Sequence, residues 1–529
     1  MSYDARPMRT VLAGALAIVA LAVAIGLGLR ASDWNDELAL APPLAAVAPV
    51  IADPHTPRLA RRVVLVIIDG LGADEAQLPF LDELGHRGVA ATASVPYPTI
   101  SRPNYVTILT GVPPRDSGVR TNRVRAPVAL DSLMDRVRAA GLHVATASDY
   151  GMVASLFVHG TPSIMNVEWR EAGDRLSPPP PLTWPFDDVR RLATLDTLGP
   201  ALAELVAGDA AFIPVLVLDV DRAGHAAGVG DEYRAAATAV DQMLRTALAG
   251  LDLTRDAVII TADHGHVARG GHGGTEPEVS HVPLVLAGSG IVAGDRPRDA
   301  RLVDLAPTIA ALLGVAAPGH AEGRTLVELL ALAPDAAGRR VEADTARSRM
   351  IVGAIASSHD GPEAWRLALA VGGALGALVV VLVLRGRGLV VIPKAAPVGA
   401  LAFATMLAAV AIVARCNISP SSIPSAARVQ WLGAISAALA IAVQTIAVWR
   451  VIRGRDRLAA ANGVALIGLA IVLVAVALVR AWFSPPFIDV PSPFWFVAIP
   501  AFDLAAATCG LATAIGLVAA HVAARRGRE

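Results

Sequence analysis

Carboxylates and imidazoles recur directly after short apolar runs in the middle of this chain. Asp69 follows VVLVII (63–68), and Asp221 and His225 follow PVLVL in the string DVDRAGH. Asp263 and His264 follow AVIIT in ADHGH, and His272 stands in GGHGG shortly after. Singly, each has an ordinary reading: an acid after a strand, a D-x-x-x-H pair and a glycine-rich loop all occur without chemistry. Together they place three carboxylates and three histidines at the strand ends where open α/β sheets bind their ligands. The neighbouring glycines allow close backbone approach. A mixed Asp/His donor set suits zinc, or a similar divalent ion such as manganese. More donors than one ion needs imply two ions, the arrangement that clamps both oxygens of an in-line displacement.

A hydroxyl completes the set. In PTISRPNYVTILTG, Ser101 stands beside Arg102 and Pro103 at the start of an expected helix, since proline favours the first helical turn. Backbone N–H groups at such an end attract anions, so a phosphoryl group carried on Ser101 would be stabilised by the helix and by the Asn104 amide. A serine hydroxyl is a weak nucleophile that needs a base or metal to activate it. Ser101 as a plain N-cap is the ordinary alternative, and Thr99 is a competing hydroxyl two residues earlier.

These residues require an α/β frame with a mostly parallel central sheet flanked by helices. Residues 61–333 alternate apolar runs with helical patterns: VVLVII (63–68), HVATA (143–147), FIPVLVL (212–218), AVIIT (257–261) and VPLVLAG (282–288). Runs without polar alternation suit parallel strands covered on both faces. Helices are expected over 74–87, 131–140, 232–249 and 303–314.

The remainder of the chain differs. Of 529 residues only 17% are charged, and the apolar excess is concentrated in long runs. A span over 11–29 follows a short segment, 1–10, that carries Arg6 and Arg9; a linker covers 30–60. After a second linker (334–365), five further spans are expected within 366–523, near 366–384, 389–414, 430–449, 459–479 and 496–520, before a tail at 524–529. The basic stretches RGRG, WRVIRGRDR and ARRGRE fall on the same side as Arg6 and Arg9. This predicts a multi-pass plasma-membrane protein with both termini cytoplasmic and the α/β domain outside. Asp503 lies within the last span, either as a functional intramembrane acid or as an interfacial one. The net charge of −1 gives no support for a nucleic-acid partner. Two cysteines in or beside apolar runs exclude a disulfide framework or a cysteine zinc site for the polar region.

The ordered motifs IIDGLG, PTISRPNYVTILTG, DVDRAGHAAG, ADHGHVARGGHGG, VPLVLAGSGI and LVDLAPTIAALLG resemble the alkaline phosphatase superfamily in its phosphodiesterase and phosphotransferase branch. The resemblance covers most of residues 62–330 and implies an alkaline-phosphatase-like fold with two zinc ions flanking a Ser/Thr nucleophile. It implies Asp69, Ser101, Asp263 and His264 around one ion and Asp221, His225 and His272 around the other. Asn104 resembles the amide that binds a non-bridging phosphoryl oxygen. The SRP stretch, with Arg102 as a further substrate contact, resembles the GPI ethanolamine phosphate transferases more than the nucleotide phosphodiesterases. His266 stands where the family has methionine, either as a substrate contact or as an ordinary loop residue. Tyr105 replaces the arginine of the sulfatase C/S-x-P-x-R segment, which argues against a sulfatase.

The expected activity is that of a metal-dependent phosphoric ester hydrolase or phosphotransferase, working through a phospho-Ser101 intermediate on a phosphoester that is lipid-linked. A phosphomonoesterase or nucleotide pyrophosphatase on soluble substrates, and a metal-binding membrane scaffold without catalysis, are the alternatives.

Overall fold

The computed structural model describes residues 6–34, 47–52, 56–148, 151–294, 299–358, 364–392, 419–422, 438, 442, 457–482 and 492–526. Nine strands form one sheet: β1 (Arg62–Ile68), β2 (Val89–Ser94), β3 (Ala145–Ser148), β4 (Arg170–Ala172), β5 (Arg175–Ser177), β6 (Asp188–Arg191), β7 (Phe212–Val217), β8 (Asp256–Thr261) and β9 (His281–Gly288). Their spatial order is β2-β9-β8-β1-β7-β3-β6-β5-β4. The centre is parallel: β1 pairs with β7 and β8, and β3 pairs with β7 and β6. β1 is buried along its whole length because helices cover both faces of the sheet, the condition its unbroken Val/Ile/Leu run anticipates.

The run over 282–288, expected to be parallel, is antiparallel to β8 and to β2. Between β8 and β9 lies only the short helix Pro277–Ser280, too little to carry the chain back for a parallel crossover. β2 itself has no counterpart among the expected strands, because VAATAS offers small residues rather than an apolar run.

The expected helices appear with shifted ends, at Pro79–Arg87, Leu133–Ala139, Asp231–Ala247 and Leu305–Leu313. The Ser101–Thr110 helix is buried on almost every side. The segment 334–365 holds the helix Pro334–Ser358, so it is not an extended linker. Ile351 and Ile355 join the main core, and Arg340 and Arg347 are buried against backbone carbonyls of the α/β unit.

Among the described residues four helices are long and apolar enough to cross a membrane: Arg6–Ser32, Trp365–Gly386, Arg457–Val479 and Trp495–Arg525. The expected spans 389–414 and 430–449 lie almost wholly outside the described residues. Residues 389–392 are described and are not helical; Val391 N–H donates to the Ala459 carbonyl. At one end of this bundle Arg9 Nε donates to the Gly388 carbonyl and Asn462 Nδ2 donates to the Arg9 carbonyl, each at 3.0 Å. At the other end Trp34, Phe496 and Ile499 pack with Tyr97 and Ile100, the residues leading into the Ser101 helix. Asp503 is 1% exposed.

Candidate active site

Three adjacent parallel strands, β8, β1 and β7, deliver the acids to one edge of the sheet. Asp69 follows β1, Asp263 and His264 follow β8, and Asp221 and His225 lie on the helix Asp219–Ala227 that leaves β7. Ser101 is the first residue of its helix, and the N-cap is Ile100. Ser101 therefore does not cap the helix; its Oγ lies 3.1 Å from His264 Nε2, and the residue is 8% exposed. Thr99 is fully buried, its hydroxyl donating to the Gly274 carbonyl and accepting from Gly273 N–H, so it belongs to the loop of His272.

The donors fall into two groups. In the first, His264 Nε2 stands 3.4 Å from Asp69 Oδ1, 3.3 Å from Asp263 Oδ2 and 3.1 Å from Ser101 Oγ. Four donors bound at zinc distances sit about 3.3–3.4 Å apart at the corners of a tetrahedron, which these separations match. In the second, His225 Nε2 is 3.4 Å from Asp221 Oδ1 and 3.1 Å from His272 Nε2. His264 and His272 stack at 3.8 Å between centroids, joining the two groups into one site.

The buried polar atoms point to cations. Asp69 Oδ1, Asp263 Oδ2 and Asp221 Oδ1 are buried without a hydrogen-bond partner, a condition that costs free energy unless a counter-charge is bound. Burial first, then the charges of Asp263 and Asp221, pushes Asp69 well above the usual carboxylate range. Burial and Asp221 push Asp263 up to about 7. Burial alone would raise Asp221 too, but the nearby His266 and the other facing imidazoles hold it well below its ordinary value. Burial pushes His264 and His272 down, His272 to about 4, so both are neutral near pH 7 and offer lone pairs. Nδ1 of each faces a carbonyl oxygen, Gly265 and Thr99 respectively, which can only accept; the free lone pair is thus on Nε2. These residues fit divalent ions.

Two features were not legible in the motifs. Tyr105 donates its hydroxyl hydrogen to Asp69 Oδ2 from a ring 1% exposed, so it orients the acid. His266, expected to be a substrate contact or a loop residue, is 2% exposed and stands in the second group, its Nε2 3.3 Å from Asp221 Oδ1. A third histidine one residue beyond DHG was the available signal, but nothing in a glycine-rich loop predicts burial. Asn104, one turn on from Ser101, is fully buried with Nδ2 donating to the Pro98 carbonyl. Arg102 is partly exposed on the same first turn, its backbone N–H donating to Asn122 Oδ1.

The short 3-10 turn Pro420–Ser422 reaches this edge. Gly274 N–H donates to Ser421 Oγ, which donates to Glu276 Oε2, each at 2.8 Å.

Residues 63–269 match the family model described as type I phosphodiesterase / nucleotide pyrophosphatase. A GPI ethanolamine phosphate transferase 1 of Emericella nidulans is 27% identical over 278 residues, 46% of this chain and 29% of that one. A 2,3-bisphosphoglycerate-independent phosphoglycerate mutase of Roseobacter denitrificans is 34% identical over 163 residues, 29% of this chain and 31% of that one. The chain thus spans about three-tenths of the length of these curated relatives. The solved alkaline phosphatase PafA is 13% identical, with 52% of this chain and 99% of that one covered at a TM-score of 0.40. The family match and the curated relatives bear out the resemblance to the phosphodiesterase and phosphotransferase branch read from the motifs.

Proposed function

We propose that this chain is a membrane-bound phosphodiesterase or phosphotransferase that uses two divalent ions, zinc by the donor set, and works through a phosphorylated Ser101. The observation that carries this reading is Ser101 Oγ lying 3.1 Å from His264 Nε2, at a helix N-terminus and beside two buried acids that lack a counter-charge. Asp69, Asp263 and His264, with Ser101, would hold one ion; Asp221, His225 and His272 would hold the other. When bound, the ions supply a lowered pKa for the attacking hydroxyl and neutralise charge on the phosphoryl oxygens.

The chain's own residues do the rest. Ser101 Oγ forms a bond to phosphorus while the bond from phosphorus to the departing alcohol breaks, and the serine proton leaves, on balance, with that alcohol. The new phosphodiester on Ser101 would lie at the positive end of the Ser101–Thr110 helix dipole. Arg102 reaches the substrate from that turn, and Asn104 contacts a non-bridging oxygen by exchanging the Pro98 carbonyl for it. Water or an acceptor hydroxyl then attacks the phosphorus, takes the serine's place, and returns a proton to Ser101.

A lipid-linked donor or acceptor is supported by the placement of the site. Ile100 and Tyr97, immediately before the nucleophile, pack on Trp34, Phe496 and Ile499 at the ends of two apolar helices. Contacts at the opposite end bring the basic segments near Arg9 and Arg385–Gly388 together, in keeping with cytoplasmic termini and an extracytoplasmic site. A nucleotide pyrophosphatase acting on soluble substrates is the second reading, favoured by the description of the matching family model.

Purified protein in vesicles, assayed with bis-nitrophenyl phosphate, nitrophenyl phosphate, a nucleoside triphosphate and a phosphoethanolamine phospholipid, tests both readings. The proposal predicts preference for diesters, transfer from the phospholipid to an added alcohol, and loss of both in Ser101→Ala. A preference for soluble nucleotides with no lipid donor used would favour the second reading, and full activity in Ser101→Ala would overturn the mechanism.

A further inference from the structure

We infer that His266 is a fourth protein ligand of the second ion, which would then sit among three imidazoles and one carboxylate rather than two and one. This rests on the two-ion reading above and adds a residue to it. His266 Nδ1 lies 3.1 Å from the Gly70 carbonyl, an acceptor only, so Nδ1 carries the proton and Nε2 carries the lone pair. That Nε2 is buried, has no hydrogen-bond partner, and faces the equally unpartnered Asp221 Oδ1 at 3.3 Å. Two acceptors of this kind turned toward each other away from water are unfavourable unless a cation lies between them. One donor atom from each of Asp221, His225, His266 and His272 fits within a sphere of mutual separations below 4.8 Å, as a first coordination shell requires.

The backbone is shaped around this ring. A Cβ added at Gly70 would meet His266 Cε1 at 2.6 Å, and one at Gly224 would meet its Nε2 at 2.8 Å. Gly224 lies between Asp221 and His225 on one helix, so the segment that supplies two ligands also makes room for a third. The Gly70 carbonyl that fixes the tautomer is itself anchored, accepting the Tyr233 hydroxyl at 2.6 Å. A histidine held this way orients like a ligating imidazole with its outer-shell partner in place.

A fourth protein ligand makes the second site hold its ion more tightly than a three-ligand site and favours imidazole-loving metals over manganese. Ser101 enters the first site as a neutral hydroxyl, a weaker donor than imidazole or carboxylate, so the second site, with four strong donors, should fill first.

The test is metal binding by the full-length protein, read by chelator competition with zinc and by the visible spectrum of the cobalt-substituted form. Wild type should bind two equivalents, the tighter one giving an intense four-coordinate cobalt spectrum. His266→Ala and His266→Gln should both weaken that equivalent at least about a hundredfold and bleach its spectrum, leaving the other equivalent unchanged. The glutamine variant keeps a donor for the Gly70 carbonyl. If it binds like wild type while alanine does not, His266 only positions the loop and the inference is overturned. It is equally overturned if both variants keep both affinities. Fewer than two equivalents in wild type would instead defeat the two-ion reading itself.

Discussion

Tyr105→Phe removes one oxygen and one hydrogen bond from the site and leaves the ring in place. The phenol donates to Asp69 Oδ2, and both residues are 1% exposed, so no water takes over the lost bond. The other carboxylate oxygen, Oδ1, faces His264 Nε2 at 3.4 Å and is the one positioned to ligate. Loss of such an outer partner costs roughly 10–100-fold in metal affinity, which is about 1.4–2.7 kcal/mol. Because a bound ion stabilises the folded chain by mass action, the zinc-dependent part of the unfolding free energy should shrink by the same about 1.4–2.7 kcal/mol at fixed excess zinc. Chelator competition, thermal melts across a zinc series, and turnover at limiting and saturating zinc would measure it. The expected variant binds one equivalent more weakly, keeps the Asp221 site unchanged, and recovers turnover when zinc is raised. Wild-type affinity at both sites, or weakening confined to the Asp221 site, would refute the assignment of Asp69 and Tyr105 to one ion.

Other consequences follow from the same geometry. Chelation should abolish turnover and zinc should restore it, measured on the nitrophenyl diester. Thr99→Val should loosen the His272 loop yet keep turnover within about tenfold, whereas Ser101→Ala should lose at least about a thousandfold; equal losses would reopen the choice of nucleophile. Arg347→Ala strands the Ala321 and Gly323 carbonyls and the buried Asp344. Urea unfolding should show a loss of about 3–5 kcal/mol, and an unchanged midpoint would mean the Pro334–Ser358 helix is not docked. Glu322 is pushed up to about 8, first by burial and then by the charge of Asp116. Its ordinary value is 4.5, so between 4.5 and about 8 the folded chain holds the extra proton and stability falls as pH rises. The slope is at most about 1.4 kcal/mol per pH unit, and Glu322→Gln should flatten it in pH-dependent denaturation.

Most of the candidate cluster was legible because Asp69, Asp221, His225, Asp263 and His264 follow runs that read as buried strands, so fold and candidate site were read from the same letters. Ser101 was legible through Pro103, which marks a first helical turn, but its choice over Thr99 needed the geometry: Thr99 spends its hydroxyl on Gly273 and Gly274. Tyr105 read only as an argument against one enzyme class, since its bond to Asp69 joins residues 36 apart in sequence. His266 was opaque because a loop has no periodicity to reveal burial; the space left by Gly70 and Gly224 becomes visible only when three loops are brought together. The direction of β9 was hidden for a similar reason, as an apolar run states that a strand is buried but not which way it points. The buried arginines of the Pro334–Ser358 helix read as linker charge until their carbonyl partners appeared.

The phosphorylated Ser101 can be captured by mixing the protein with a labelled phosphodiester, quenching in acid and digesting for mass spectrometry. The account predicts the phosphoryl ester on Ser101 in the Val95–Gly111 segment, absent in Ser101→Ala and depleted when an acceptor alcohol is added. Turnover with no adduct on Ser101, or an adduct on Thr99 instead, would contradict it.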